Sequence, residues 1–465
     1  MPTRSPIALL TGLLLAAVAL ATPSPVYADS PAAYPAVPPP TNPDALGRGV
    51  QRTMTLLATS TAKKRNKVRV LFYGQSITEQ SWSKAVADDL RRRFPDADLE
   101  IENRAIGGFA AQLLVRPAEH DLYPFYPDLL IFHVYGSNNE YEEIIRNVRS
   151  RTTAEVLMQT DHVTKWPPEK SDPNGDKGAW WDDLMNRQLL PDIARKYGCG
   201  LVDNHTEWLK YLKANNLQPQ DLLKDGVHLN DHGNYLMAEL VKRYLVHRPD
   251  LPNDDWKGLV RDYDVGKDVQ WKDGKLRLEF EGNRLELTDA GQPELSAAGY
   301  VLITIDGRKP SETPGCYAIS RPQPGPWSPR ALTRVDHDRP LVAEEWTLTV
   351  RDVADDSKTF TFDVSGSKTG PDGNGSSDKP FVSNSGRVKI DPQAWFGNGK
   401  LTAGYAIKWK SYLIGNDAWG ASDLAPVVAQ GLPNGRHVLE MTDRRAAGRV
   451  RTVRVYRPPV AAQEP

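Results

Sequence analysis

Hydrophobic and polar positions change rhythm along this chain. Between residues 65 and 250 apolar residues come in near-continuous runs, such as "VRVLFY" (Val68–Tyr73) and "DLLIFHVY" (Asp128–Tyr135). Such runs suit strands buried on both faces of a parallel sheet. "LEIENRA" and "CGLVDN" read as further strands. Helical patterns separate them: "SWSKAVADDLRRRF", "WWDDLMNRQLLPDIARKYG" and "HGNYLMAELVKRYLV". This alternation predicts an α/β layer domain over 65–250. "HRPDLPNDDW", rich in Pro and Asp, predicts a linker. Beyond about residue 257 the period shortens to two, in "KLRLEFEG", "GYVLITIDG", "EWTLTVRD", "TFTFDVSG" and "VRTVRVYRP". Gly, Pro, Asn and Asp turns divide these segments, which predict an antiparallel β-sandwich domain over 257–460.

The N-terminus follows another pattern. Arg4 precedes an apolar run from Ile7 to Ala21, and "VYA" follows at Val26–Ala28. This predicts a signal peptide over 1–28, cut after Ala28, and a secreted or periplasmic protein. The run is shorter than the roughly 20 apolar residues of a spanning helix. No membrane attachment is expected after its removal. Residues 29–64 form a Pro/Ala-rich segment, expected to be extended, with a short helix around Val50–Ala62.

Length and charge narrow the classes. The 465 residues suggest two or three domains. The 58 basic and 59 acidic residues balance, so nothing points to nucleic acid or an anionic membrane as partner. Cys199 and Cys316 lie far apart in sequence and are expected to be unpaired, buried thiols.

The candidate chemistry starts at "LFYGQSIT" (Leu71–Thr78), where a strand runs into Gly-x-Ser. In open α/β sheets ligands bind outside the carboxyl ends of strands, which is where Ser76 should sit. A serine nucleophile needs a base. "LLKDGVHLNDHGNYL" offers His228, with Asp225 three residues before it to hold the imidazole. Acyl transfer also needs donors for an oxyanion. "NRAIGGF" offers backbone N–H groups at Gly107 and Gly108, and "YGSNNEY" offers the amide of Asn138. Both segments follow strands, so both should open at the same edge as Ser76. Each feature alone is an ordinary turn or cap. Together, in order, they describe a hydrolase site.

This set resembles the SGNH hydrolases, or GDSL-like esterases. "YGQSIT" matches the family's first block, "NRAIGG" the second, "YGSNNE" the third and "DGVHLNDHG" the fifth. The resemblance covers about residues 65–250. It implies a flavodoxin-like three-layer α/β/α domain with Ser76 as nucleophile, His228 as base and Asp225 as its orienter. Gly108 and Asn138, with the Ser76 amide, would form the oxyanion hole, and no cofactor is needed. Two departures stand out. Gln75 replaces the usual Asp before the serine, as in carbohydrate esterases that remove acetyl groups. Asn139 replaces an Asp after Asn138, which brings Glu140 close.

These features predict an esterase acting on an acylated, above all acetylated, carbohydrate or polysaccharide. Gln75, Gly107, Asn139, Glu140 and Arg104 are candidate substrate contacts, and Arg104 and Arg116 could receive an acidic sugar. Two alternatives stay open. Glu79 or Glu140 could act in glycosidic cleavage, or the chain could be a non-catalytic carbohydrate-binding surface protein. His120, His133, His162, His205 and His232 show no metal-ligand spacing and are expected to be structural, so no metal is expected. Seven of the 12 tryptophans lie beyond residue 255, expected mainly in core packing. "GPDGNGSSD" resembles part of a calcium loop but lacks its Gly and Glu, which predicts a flexible turn.

Overall fold

The computed structural model describes residues 34–251, 254–289, 299–323, 331–355, 359–397, 399, 401–420 and 426–461. The signal peptide, its cut after Ala28, and Trp327 lie outside these residues. Val37–Pro465 is one compact unit and carries all the elements that follow. No helix among the described residues is long and apolar enough to cross a membrane.

Five parallel strands form the first sheet: β1 (Lys67–Gly74), β2 (Asp98–Asn103), β3 (Leu129–His133), β4 (Glu155–Gln159) and β5 (Gly200–Val202). Their order is β2-β1-β3-β4-β5. All of β3 and β4 is buried, as their unbroken apolar runs require, whereas β2 at the edge stays half-exposed. The helices of this region are α1 (Gln51–Ala58), α2 (Ser76–Glu79), α3 (Ser81–Arg93), α4 (Ala111–Leu114) and α5 (Ala118–Asp121). They continue with α6 (Asn138–Arg151), α7 (Lys177–Leu184), α8 (Leu190–Tyr197), α9 (Asn204–Ala214) and α10 (Asp231–Tyr244).

Side chains alternate across the sheet, so each strand feeds two cores. Val70, Phe72 and Ile131 pack with Trp82, Val86 and Leu90 of α3 and with Leu236 and Leu240 of α10. Leu71, Tyr73 and Phe132 face the other way, towards Ile144 and Val148 of α6 and Ile193 of α8. Trp82, Val86 and Leu90 recur every four residues, which aligns them on one face of α3. Gly198 ends α8 in the left-handed region at φ 63°, where a side chain would be strained.

The alternating segments beyond residue 257 form antiparallel strands. A seven-stranded sheet is built around two long strands, Lys275–Asp289 and Val427–Arg444. Between these, the chain makes a second, four-stranded sheet from Glu345–Val353, Phe360–Gly366, Gly370–Ser376 and Ala406–Lys410. Each sheet has its own apolar core, one including Leu276, Leu439 and Val453, the other Trp346, Leu348 and Phe362. Period-two alternation reveals strands but not their partners. That is why two cores appear where one sandwich was expected.

The β region is fastened to the parallel-sheet region. The Arg284 guanidinium lies 4.6 Å from the Tyr126 ring centroid, and Tyr126 donates to Asn283 at 2.9 Å. Arg321 pairs with buried Asp121 at 3.0 Å. Phe396 packs on Phe109 with ring centroids 4.6 Å apart.

Three smaller expectations resolve here. The "GPDGNGSSD" segment is not a flexible turn. Gly370–Ser376 is a paired strand, and the Asp372 carboxylate accepts from Ser385 N at 2.8 Å and Oγ at 2.6 Å. Cys199 and Cys316 are free, and burial pushes both thiols up to about 11. Trp346, Trp409 and Trp419 are buried.

Candidate active site

Parallel pairing sets the site. Phe72 lies opposite Asn103, and Gly74 opposite His133, so β1, β2 and β3 end at one edge. The loops that follow carry Ser76, Gly107–Gly108 and Asn138. They are tied to one another by hydrogen bonds. Ile106 N donates to Gly74 O at 2.9 Å, Thr78 Oγ1 to His133 O at 3.0 Å, and Asn103 Nδ2 to Thr78 O at 2.7 Å. Gly74 itself, at φ 157°, leaves no room for a Cβ, which would meet His133 O at 1.9 Å. Glycine is therefore required where β1 hands over to Ser76.

Ser76 is the first residue of α2, a single turn. First-turn N–H groups lack an intrahelical acceptor and point outward. Its Oγ lies 2.9 Å from His228 Nε2. His228 Nδ1 lies 2.9 Å from Asp225 Oδ2. The Asp225 Oδ1 accepts from Val227 N at 2.8 Å and His228 N at 2.7 Å, which folds the loop into a tight turn. These backbone donors, with the His228 ring, hold the Asp225 carboxyl at about 2. An ionised carboxylate only accepts, so Nδ1 carries the ring proton and Nε2 presents its lone pair to Ser76. The arrangement can take a proton from the Ser76 hydroxyl. It is also reachable: the His228 side chain is 34% exposed.

Gln80 joins the two halves. Its side-chain amide donates to Leu229 O at 2.9 Å and accepts from Leu229 N at 3.1 Å. That two-point clamp fixes the His228 loop against the helix pair bearing Ser76. Sequence reasoning missed it, because a Gln 149 residues from Leu229 leaves no local signal.

The two glycines differ. Gly107 N donates to Glu79 Oε1 at 2.7 Å, so this N–H is engaged and not the open donor expected. Gly108 has φ 80°, and nothing lies within 4 Å of where its Cβ would stand. Its position borders open space, and Phe109 beside it is buried against Phe396. Asn138 starts α6, and its buried Oδ1 has no hydrogen-bond partner. Asn139 is exposed on the same turn. Glu140 accepts from Ser137 Oγ, a Ser-x-x-Glu pairing across the first turn of α6. Its acidic position favours a helix N-terminus, and the spacing was readable as a capping signal.

The arginines have partners of their own. Arg104 donates to Glu102 Oε2 and to Asp121 O, both at 2.7 Å, and stacks on Phe125. Arg116 donates to Gln393. Both cations are engaged by protein partners rather than solvated on the surface.

A cavity of about 230 Å³ adjoins Ser76, lined by Gln75, Ile77, Tyr135, Asp161, Asp182 and His205 among others. Burial pushes His162 down to about 4, against the opposing pull of Asp161. Burial pushes the Asp161 carboxyl up, but His133, His162 and His205 outweigh it and hold it low. His133, Asp161 and His162 stand together. Sequence spacing did not show this, because 28 residues and one strand crossover separate His133 from Asp161.

No protein-family model matches the chain, and no curated protein matches it. Several solved structures do. A two-domain esterase (CEX) active on acetylated mannans matches at 16% identity with a TM-score of 0.35, over 90% of this chain and 98% of that one. Axe2, an acetylxylan esterase from Geobacillus stearothermophilus, matches at 19% identity and 0.34, over 39% and 95%. The acetyl xylan esterase AlAXEase matches at 23% identity and 0.31, over 37% and 98%. Likenesses this remote fix nothing about the substrate of this chain.

Proposed function

We propose that this chain is an exported serine esterase of the SGNH type that removes acyl groups, acetyl above all, from a carbohydrate. One observation carries the reading: the hydrogen-bonded line from Ser76 through His228 to Asp225 at the carboxyl edge of a parallel sheet. The strand order β2-β1-β3-β4-β5 supports a flavodoxin-like catalytic domain over 65–250. Residues 257–460 form its β-rich accessory region.

In this mechanism Ser76 Oγ attacks the ester carbonyl carbon while its proton passes to His228 Nε2. Asp225 holds the imidazolium through Nδ1–H. The oxyanion takes hydrogen bonds from the Ser76 and Gly108 N–H groups and from the Asn138 amide. The C–O bond to the sugar breaks, and His228 returns the proton to the leaving hydroxyl. Water then attacks the acyl-enzyme by the same route and releases the carboxylic acid.

The cavity beside Ser76 sets the polar groups of Gln75, Thr164, Tyr135 and Asn186 among apolar walls from Ile77, Val163, Pro167 and Val227, which suits sugar hydroxyls beside an acetyl methyl. Asp182 and Asp183 outnumber Lys165 in its lining, which disfavours an anionic sugar. A neutral acetylated glycan therefore fits best. Glycosidic cleavage is disfavoured because Glu79 is held by Gly107 N and Glu140 by Ser137 Oγ. The test is acetate release across neutral and acidic acetylated glycans, with Ser76→Ala as control. Release undiminished in Ser76→Ala, or no labelling of Ser76 by a fluorophosphonate, sinks the reading.

A further inference from the structure

We infer that His133, Asp161 and His162 form a binding site for a divalent metal ion of the zinc class, set in the wall beside the Ser76–His228 pair. One candidate ligand atom from each lies within 4.8 Å of the others. His133 Nε2 and Asp161 Oδ1 are 3.0 Å apart. His133 ends β3, while Asp161 and His162 follow β4. Adjacent parallel strands thus deliver the three to one edge of the sheet.

The hydrogen-bond accounting points to a ligand. His162 Nε2 faces the Val227 carbonyl at 2.8 Å, and a carbonyl only accepts. Nε2 therefore carries the proton, and Nδ1 of the neutral ring is a lone pair. That Nδ1 is buried without a partner. The same holds for Asp161 Oδ2, for His133 Nδ1, whose Nε2 faces Asp161 Oδ1, and for both ring nitrogens of neighbouring His205. Buried polar atoms are almost always paired, so this many together need an explanation. Lone pairs gathered around a carboxylate repel one another unless a cation lies among them. A ligating histidine typically gives its other N–H to a backbone carbonyl, which is the bond His162 makes to Val227. Two imidazoles and a carboxylate suit zinc, with a fourth position left for water.

The site would also brace the catalytic loop. Val227 adjoins His228, so a metal that fixes the His162 ring fixes the carbonyl next to the base.

The test uses the full chain, stripped with a chelator and titrated with Zn²⁺ or Co²⁺. Elemental analysis should find about one ion per chain, and bound Co²⁺ should show the absorption of a four-coordinate site. Asp161→Asn and His162→Ala, checked for folding by circular dichroism, should weaken uptake by at least roughly tenfold. Ser76→Ala should abolish ester hydrolysis and leave uptake unchanged, which separates this inference from the esterase reading. Wild-type protein that takes up neither ion overturns it and leaves the cluster as a prop for Val227. So does uptake that both folded variants retain.

Discussion

Glu79 offers the sharpest separation of structure from chemistry. Its Oε1 accepts the Gly107 N–H at 2.7 Å, and its Oε2 would lie 2.8 Å from a Cβ at residue 107. The carboxylate thus holds the loop that presents Gly108. Glu79→Ala removes the acceptor. A hydrogen bond to a charged group contributes about 1.5–3 kcal/mol, and Glu79 is solvent-exposed, so about 1 kcal/mol of stability should go. The catalytic loss should be larger, because a shift of about 1 Å in a positioning element costs about 10²-fold in rate. Glu79→Gln keeps an oxygen at the same reach and should recover most of the rate. Acetate release from an acetylated glycan, measured as kcat and KM beside urea unfolding, reads both effects. A Gln variant as inactive as the Ala variant would refute the positioning role and favour Glu79 as an acid or base. Full activity in Glu79→Ala would show that the Gly107 loop needs no such support.

Other expectations follow from the same geometry. Ser76→Ala should lower kcat by about 10⁶-fold with folding retained, read by acetate release and circular dichroism. Gln80→Ala should unpair Leu229 N, leave Leu229 O only a long bond from Asn234 Nδ2, and lower kcat more than it changes KM; an unchanged kcat counts against the clamp. Phe396→Ala should cost about 2 kcal/mol, roughly half of a fully buried Phe→Ala, and lower activity through Phe109; urea unfolding and ester hydrolysis check it. For His162 the folded value is depressed from 6.5 to about 4, so the unfolded chain binds the proton first as pH falls. Stability should therefore drop between pH 6.5 and 4, by about 3 kcal/mol from this residue. Urea unfolding in chelator at pH 7 and 4.5 should show a smaller drop in His162→Gln than in the wild type.

Much of the α/β half was legible because its strands announce themselves locally. A run such as "LLIFH" has one plausible home, a strand buried on both faces, and parallel strands align their ends. Once Ser76, the Gly107–Gly108 pair and Asn138 are each read as following a strand, their meeting at one edge follows without knowing a single distance. The antiparallel half was less legible. Lys275–Asp289 pairs with Val427–Arg444 across about 140 residues, and alternation alone cannot choose that partner.

The site divides along the same line. Asp225 and His228 were readable as a unit because three residues of loop bring them together. What escaped was every contact made at long range by a residue with an ordinary local reason to exist. Gln80 reads as a helix-boundary glutamine, Glu79 as loop charge, and Arg104 as a surface cation near the second block. Each acquires its role only from a partner that the fold brings in: Leu229, Gly107 N, and the Asp121 carbonyl. Glu140, by contrast, has a local partner. Glu140 is bonded back to Ser137 across the first turn of α6. A carboxylate at the third position of α6 also faces the positive end of the helix. Glu140, an alternative candidate acid for glycosidic cleavage, is bonded into the turn that carries Asn138.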